Sequence, residues 1–269
     1  MSKTDNSQHA LLLVRGVTVR FGGLIAIDDV SFEVRQGELL GLIGPNGAGK
    51  TTMLRAITGV VRPSTGHVTL DGQSLDGLPI HQRIRRGLSL SQQLVRPFRE
   101  LSVVDNVALA AGYDKTATPL KALTHVGREA ELSLARQMLQ RVGIGSYENQ
   151  SPGTQPLGVL KRLEMARALA IQPRLLLLDE PLAGLNSKEA KALADTIAEI
   201  NAQGTTIVLI EHNLGEVMRI CHRLVVLDNG RKIAEGIPKE VMSNPTVRAA
   251  YLGGDTIAEG AESAGAHDA

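Results

Sequence analysis

A glycine-rich stretch carries the strongest chemical signal in the sequence. Residues 44–51 read Gly-Pro-Asn-Gly-Ala-Gly-Lys-Thr and match the pattern G-x-x-x-x-G-K-[ST] at every specified position. Between a strand and a helix, such glycines let successive N–H groups face an anion, and the helix terminus adds partial positive charge. Lys50 would then meet the outer phosphates of a nucleotide, and the Thr51 hydroxyl would ligate Mg²⁺. The predicted nucleotide-binding residues of this loop are Gly44, Pro45, Asn46, Gly47, Ala48, Gly49, Lys50, Thr51 and Thr52.

Two adjacent acids follow an apolar run later in the chain. Residues 175–178 are leucines, and Asp179 and Glu180 come directly after them. At the carboxyl end of a buried strand, these acids would face the ligand crevice of an open α/β sheet. Asp179 suits a Mg²⁺ site, and Glu180 suits the polarisation of a water for attack on a γ-phosphate. Taken alone, the pair could equally be solvated acids at a strand end, but behind a phosphate loop we favour the catalytic interpretation.

These motifs need strands that bring them to one edge of a sheet. Short runs of apolar and β-branched residues between turn residues predict such strands. Runs without alternation, such as residues 205–210, are typical of parallel strands that are covered on both faces. We therefore predict an α/β fold, with a phosphate-binding core and an antiparallel β subdomain. The predicted strands span residues 11–21, 30–34, 38–43, 67–70, 175–179, 205–210 and 223–227, with turns at residues 22–23 and 28–29.

Helical periodicity marks two kinds of segment. Residues 50–58 predict a helix that follows the glycine loop and ends at Gly59. A later helix is expected to begin after Asn186, which forms a capping-box-like pair with Glu189. From about residue 75 to residue 170, apolar residues recur at helical spacing and predict an α-helical subdomain inserted into the α/β core. Its predicted helices span residues 102–111, 128–142 and 160–169.

Composition limits the classes of function. With 29 Lys and Arg against 28 Asp and Glu, the net charge is +1, so a broad basic field for nucleic acid is absent from the sequence. The single cysteine, Cys221, excludes an internal disulfide framework and favours a reducing compartment. No stretch reaches the roughly 18 consecutive apolar residues of a membrane span, so any membrane role requires a partner. We expect a flexible N-terminus over residues 1–10, one ATP-binding domain over 11–252 and a disordered tail over 253–269.

These motifs, with three further positions, resemble the ATP-binding cassette subunit of ABC transporters over residues 11–254. Phe21 stands where the family stacks an aromatic ring on adenine, although a core phenylalanine at a strand end is the alternative. Gln93 resembles the glutamine that touches Mg²⁺ and the attacking water, with the adjacent Gln92 leaving the register open by one residue. His212 resembles the switch histidine that contacts the γ-phosphate, and a structural or surface histidine is the alternative.

The family's signature loop, L-S-G-G-Q, is altered in this sequence. The equivalent residues 155–159 read Gln-Pro-Leu-Gly-Val, so only Gly158 matches. The resemblance implies that this loop clamps the γ-phosphate of the other subunit in a head-to-tail dimer, to which residues 183–186 would also contribute. Pro156 replaces the serine and has neither a hydroxyl nor an N–H group. A weakened site and a tolerated variant that binds through backbone amides are equally open interpretations.

Within the family, residues 20–26, 185–186, 210–213 and 251–254 most resemble the ATP-binding subunits of branched-chain amino acid importers. This resemblance implies MgATP hydrolysis by a dimer with itself or a paralogue, on the cytoplasmic face of the inner membrane. The implied partners are transmembrane permease subunits and, indirectly, a substrate-binding protein, with no nucleic acid. Related lipid exporters share some of these matches. Two alternatives remain: a soluble ABC ATPase in DNA repair or translation, and a nucleotide-sensing module with little hydrolysis.

Overall fold

The computed structural model describes residues 10–91, 97–113 and 128–251. Its strands are β1 (Ala10–Phe21), β2 (Leu24–Arg35), β3 (Leu39–Ile43), β4 (Thr65–Leu70), β5 (Gln73–Ser74), β6 (Leu88–Ser91), β7 (Leu175–Asp179), β8 (Thr206–Ile210), β9 (Arg223–Asp228) and β10 (Arg231–Gly236). Its α-helices are α1 (Lys50–Thr58), α2 (Ile80–Arg85), α3 (Val103–Ala111), α4 (Glu129–Arg141), α5 (Leu157–Ala170), α6 (Ser187–Ala202), α7 (Leu214–Ile220) and α8 (Pro238–Ser243).

The N-terminal strands form the predicted antiparallel sheet, in the order β2-β1-β4-β5. The turn predicted at residues 22–23 lies between β1 and β2. The turn predicted at Asp28 and Asp29 is wrong, because both residues lie inside β2. There the register with β1 shifts between the pairs Val17↔Val30 and Val19↔Ile27, and Asp29 takes a φ of 51°. Turn-forming residues here make a bulge, which is why β2 begins well before the predicted residue 30.

The second sheet has six strands in the order β10-β9-β3-β8-β7-β6, all parallel except β10. The apolar runs predicted to be covered on both faces are buried throughout β3 and β8. Alternate residues enter opposite cores: Leu176 and Leu178 face one hydrophobic cluster, whereas Leu175 and Leu177 face the other. Burial on both faces fixes the height of each strand end, so the loops at the carboxyl edge start from a rigid frame.

The predicted helical insert is present, and a strand that the sequence did not predict lies within its range. Helices α3, α4 and α5 pack on one another. Before them, β6 pairs with β7 in parallel and so belongs to the core sheet. Its sequence, Leu-Ser-Leu-Ser, is short and half polar, yet Ser89 and Ser91 are both buried. A strand of this length gives little periodic signal, which explains its omission.

The structure places three loop segments at one edge of the parallel sheet. The glycine loop follows β3, Glu180 follows β7, and Glu211 and His212 follow β8. These three strands are neighbours in the order β3-β8-β7, so their carboxyl ends lie side by side. In the described parts of the chain, none of the helices combines the length and apolarity that a membrane span needs. The predictions for the two termini concern residues outside the described ranges, although Ala10 already begins β1.

Candidate active site

The glycine loop wraps the start of α1 as predicted. Helix α1 begins at Lys50 with Gly49 as its N-cap, and the Met53 N–H donates to the Gly49 carbonyl at 2.8 Å. A Cβ atom on Gly44 would stand 2.0 Å from the Leu227 carbonyl oxygen. Only glycine therefore fits where the loop crosses the end of β9. The loop is thus shaped by its packing against the sheet rather than by its sequence alone.

Lys50 lies beneath this loop, and its ammonium group donates hydrogen bonds to carbonyl groups of the loop. The Nζ atom donates to the carbonyl oxygens of Gly44 at 2.8 Å and Pro45 at 2.9 Å. Burial lowers the pKa of Lys50, and the nearby carboxylates of Glu180 and Asp179 act in the opposite direction. A buried ammonium held by neutral carbonyls has no strong anionic partner. A phosphate oxygen would supply that partner, so the arrangement is prepared for a polyanion.

Asp179 offers an acceptor atom that the protein leaves bare. Its Oδ1 atom is buried and has no hydrogen-bond partner among the described residues. Burial, followed by the neighbouring Glu180 charge, raises the pKa of Asp179. A buried carboxylate oxygen without a donor fits a cation ligand, so Asp179 suits Mg²⁺, and the Thr51 hydroxyl in the first turn of α1 is a second candidate ligand. Within the described ranges no cluster of three His, Cys, Asp or Glu residues could hold a metal ion.

Glu180 and His212 form a direct pair. The distance from His212 Nε2 to Glu180 Oε1 is 2.7 Å. Glu180 has a left-handed φ of 50°, and its N–H donates to the Ile210 carbonyl at 2.9 Å. Asp179 is the last residue of β7, and Glu180 lies in the bend that follows it. Glu180 is mostly shielded, whereas His212 is more exposed to solvent.

Glu211 is a site residue that sequence reasoning missed. Its Oε1 accepts the Leu182 N–H at 2.6 Å, and its Oε2 accepts the His212 N–H at 3.1 Å. Burial raises the pKa of Glu211, although these backbone donors act in the opposite direction. The carboxylate ties the loop after β7 to the loop after β8. An acid directly before His212, at the end of a fully apolar strand, was the available signal.

A cavity of about 590 Å³ collects most of the predicted residues. Phe21 lines it and is 51% exposed, which disfavours the core-phenylalanine interpretation. Leu24 and Ile25, which the sequence reasoning did not single out, add apolar surface beside that ring. An exposed flat apolar wall suits a base that lies over it. The complete lining is Phe21, Leu24, Ile25, Ala26, Asn46, Gly47, Ala48, Gly49, Lys50, Thr51, Thr52, Glu180, His212, Asn229 and Gly230.

Gly44, Pro45 and Asp179 are not among the residues that line this cavity, although Lys50, which lines it, contacts the first two. Other predicted residues lie elsewhere in the chain or outside the described ranges. Gln93 and Gln92 fall between residues 92 and 96, which the structure does not describe. Pro156 is the N-cap of α5 and makes no side-chain cap, while its carbonyl accepts the N–H groups of Val159 and Leu160. Asn186 caps α6 with the complete capping box predicted from Glu189. The signature-equivalent residues therefore lie at a helix N-terminus, separate from the cavity of the same chain.

Comparison with known proteins agrees with this geometry. The ABC transporter family model matches residues 27–183, and the model for branched-chain amino acid ATP-binding cassette transporters matches residues 231–257. The high-affinity branched-chain amino acid transport ATP-binding protein LivG of Salmonella typhimurium is 44% identical, over 90% of this chain and 98% of that protein. BraF of Pseudomonas aeruginosa, of the same description, is 40% identical with the same coverage.

More distant relatives keep the same architecture. The lipopolysaccharide export system ATP-binding protein LptB of Escherichia coli is 31% identical, over 91% of this chain and 98% of that protein. The solved structure of MJ1267, an ATP-binding cassette of an ABC transporter in its ADP conformation, has a TM-score of 0.81 at 29% identity. It covers 91% of this chain and 99% of its own. The motifs, the fold and these matches agree that the chain belongs to the ABC transporter family, as an ATP-binding subunit.

Proposed function

We propose that this chain hydrolyses MgATP to power the import of branched-chain amino acids. The observation that supports this choice of transported substrate is the similarity to proteins named for branched-chain amino acid transport, at 40% to 44% identity over 90% of the chain. The match of residues 231–257 to a family of that cargo adds support from a second region. Export of a lipid is the competing direction, supported by the 31% identity with the lipopolysaccharide exporter subunit.

The phosphates of ATP would bind where Lys50 now contacts carbonyl oxygens. Lys50 Nζ lies within 2.9 Å of the Gly44 and Pro45 oxygens, so it would turn from them to the β- and γ-phosphates. Phe21 would pack against the adenine ring at the other end of the cavity. When bound, Mg²⁺ would neutralise developing charge on the phosphates. The residues proposed to hold it are Thr51, Asp179 and Gln93.

Glu180 is proposed as the general base. Its carboxylate would accept a proton from the attacking water as the water oxygen bonds to the γ-phosphorus and the bond to ADP breaks. His212, 2.7 Å from Glu180, would hold the carboxylate in place and donate to the γ-phosphate as that charge forms. Glu211 would fix the backbone beneath both residues through its bonds to Leu182 and His212. These contacts preorganise the base without a large rearrangement.

The proposed assembly follows from the family. ABC cassettes act on transport through partner subunits, and a dimeric solved cassette resembles this chain in fold. We propose permease subunits in the inner membrane, a second cassette, identical or paralogous, and indirect contact with a substrate-binding protein. The chain would lie on the cytoplasmic face. The transport names of its relatives favour this role over a soluble ATPase of DNA repair or translation.

Replacement of Glu180 tests the catalytic proposal. Glu180→Gln keeps the shape but removes the proton acceptor, so ATP turnover should fall by about 10²- to 10⁴-fold. ATP affinity should be retained, and ATP-loaded dimers should accumulate on a sizing column. Glu240→Gln, an exposed acid on α8, is the matched control and should leave turnover unchanged. Turnover of Glu180→Gln close to that of the wild type would contradict the assignment of Glu180 as the base. If the wild type itself hydrolyses little ATP, that result would favour the nucleotide-sensing alternative.

Uptake by the reconstituted complex tests the cargo. ATP-filled proteoliposomes that contain the full transporter should accumulate radiolabelled leucine, isoleucine or valine when the binding protein is added. Glu180→Gln should abolish this accumulation. Absence of uptake, together with ATP-dependent extraction of lipid, would contradict the import proposal while leaving the ATPase assignment intact.

A further inference from the structure

Lys161 is a buried cation on α5 that reaches the catalytic edge, by which we mean the carboxyl edge of the parallel sheet where the proposed catalytic residues lie. It lies on α5 and is 7% exposed. Its Nζ atom donates to the backbone carbonyl of Glu180 at 3.3 Å. Burial lowers the pKa of Lys161, and the charges of Glu211, Glu180 and Asp179 act against that effect. The lysine therefore lies within electrostatic range of the acids of the proposed site, although it comes from the helical subdomain.

Lys161 contacts the backbone of Glu180 at the point where the chain takes a left-handed conformation. Glu180 has a φ of 50°, a region that residues with a Cβ atom seldom occupy unless neighbours hold them there. Its N–H donates to the Ile210 carbonyl at 2.9 Å. Its own carbonyl accepts the Ala183 N–H at 3.2 Å, in addition to the Lys161 ammonium. Lys161 thus contributes a side-chain donor from α5 to the backbone of Glu180.

The same helix begins at the signature-equivalent residues, which the family resemblance places opposite the other nucleotide of a dimer. Lys161 follows Gly158 by three residues, which corresponds to about 4.5 Å along a helix. A Cβ atom on Gly158 would meet Leu185 at 3.9 Å and Glu189 at 3.7 Å, so the first turn of α5 lies beside the loop after β7. Because a helix moves largely as a rigid body, a displacement at its first turn also displaces Lys161.

We propose that Lys161 is a positioning residue for Glu180, which links the first turn of α5 to the catalytic carboxylate of the same chain. This inference rests on the proposed role of Glu180 as general base. When the first turn of α5 engages nucleotide across the dimer, the Lys161 ammonium moves with it and holds the Glu180 peptide in its left-handed conformation. Nucleotide bound to the other subunit thereby influences the position of Glu180 in this chain.

The test compares two neighbouring cations of α5 in the full-length chain, purified with its membrane partners. Lys161→Met removes the ammonium and keeps an unbranched side chain of similar length. Arg162→Met is the matched control, because Arg162 is a partly buried cation that donates to the Val142 carbonyl and the Thr196 hydroxyl, both at 2.7 Å, away from the acids. Lys161→Arg keeps the charge and should restore function. Circular dichroism confirms that each variant is folded at the assay temperature.

Lys161→Met should lower kcat for ATP roughly 10- to 100-fold, the scale of a misplaced catalytic group, and should leave ATP affinity within about twofold. Lys161→Arg should recover kcat to within about fivefold of wild type, and Arg162→Met should retain wild-type kcat in its folded fraction. A kcat for Lys161→Met equal to that of Arg162→Met would overturn the inference. So would a loss that appears in ATP affinity alone.

A double variant separates this inference from the proposal on which it rests. If Lys161 acts through Glu180, Lys161→Met should cause no further loss of kcat in the Glu180→Gln background. A full additional loss in that background would overturn the positioning role. If Glu180→Gln alone is fully active, the base assignment fails. If Glu180→Gln is inactive and Lys161→Met is fully active, the base assignment stands and only the inference about Lys161 fails.

Discussion

The catalytic edge and the signature-equivalent loop of this chain differ in how their polar groups are supported. At the edge, the buried ammonium of Lys50, the bare Oδ1 of Asp179 and the paired Glu180 and His212 lie together. At the start of α5, Pro156 provides neither a side-chain cap nor a hydroxyl group. Nucleotide binding there would depend on backbone amides at a helix terminus. If the proposed roles hold, one chain combines a well-supported site for hydrolysis with a clamp that lacks the serine hydroxyl.

This contrast predicts an asymmetric transporter when the partner is a paralogue with an intact L-S-G-G-Q loop. In a head-to-tail dimer, the Pro156 loop faces the partner's ATP, so the defect falls on the partner's site. Glu180→Gln in this chain should then remove most of the total turnover, because its own site carries most of the hydrolysis. The matching substitution in the partner should have a much smaller effect. Steady-state ATP hydrolysis by the two singly substituted complexes provides the measurement, and equal losses would contradict the asymmetry.

Two glycines of the nucleotide loop test how far its shape depends on packing. Gly44→Ala places a methyl group 2.0 Å from the Leu227 carbonyl, so we expect a loss of about 3–5 kcal/mol in the free energy of unfolding. Gly47→Ala is the matched control, because no atom lies within 4 Å of its Cβ position, and only its φ of 78° is unfavourable. That backbone conformation costs about 1–2 kcal/mol. Urea unfolding that gave both variants the same stability would contradict the packing argument.

Asp179 should reduce the stability of the nucleotide-free protein. Asp179→Asn removes a partly buried charge without a donor, so the free energy of unfolding should rise by about 1 kcal/mol at neutral pH. Because burial raises the folded-state pKa of Asp179, the folded protein binds its proton more tightly, and wild-type stability falls as pH rises above the ordinary value of 3.8. The advantage of the variant should therefore disappear below that pH.

The measurement is urea unfolding at neutral and acidic pH, with Mg²⁺-dependent turnover assayed in parallel. Turnover should be lost in Asp179→Asn while stability increases. Asp228→Asn, at the end of β9, is the control acid, since it lies at a strand end outside the proposed metal site. A destabilised Asp179→Asn protein at neutral pH would contradict the view that this carboxylate is retained for a cation.

Local sequence predicted the motif-bearing elements well. Helix α1 spans the predicted residues 50–58, β7 spans the predicted 175–179, and the capping box at Asn186 is present. Glu211 and Lys161 were not anticipated, because their roles arise from contacts between segments far apart in the chain. The bulge at Asp28 and Asp29 was mistaken for a turn for the same reason, since the pairing with β1 decides its conformation. Tertiary contacts, rather than propensity, account for each difference.

Restoring the serine should produce the smallest effect. Pro156→Ser places a hydroxyl at the N-cap of α5, where such a residue stabilises a helix by about 1 kcal/mol. Part of that gain is offset by the added freedom of the unfolded chain, typically about 0.4–1 kcal/mol when a proline is removed. Pro156→Ala, the matched control, loses the ring without adding a hydroxyl. We expect Pro156→Ser, but not Pro156→Ala, to raise turnover of the assembled transporter by less than about tenfold, the value of one additional hydrogen bond of ordinary strength. Equal rates for both variants would indicate that the backbone amides near Gly158 already hold the phosphate. The structural difference between the catalytic edge and the start of α5 would then have no kinetic consequence.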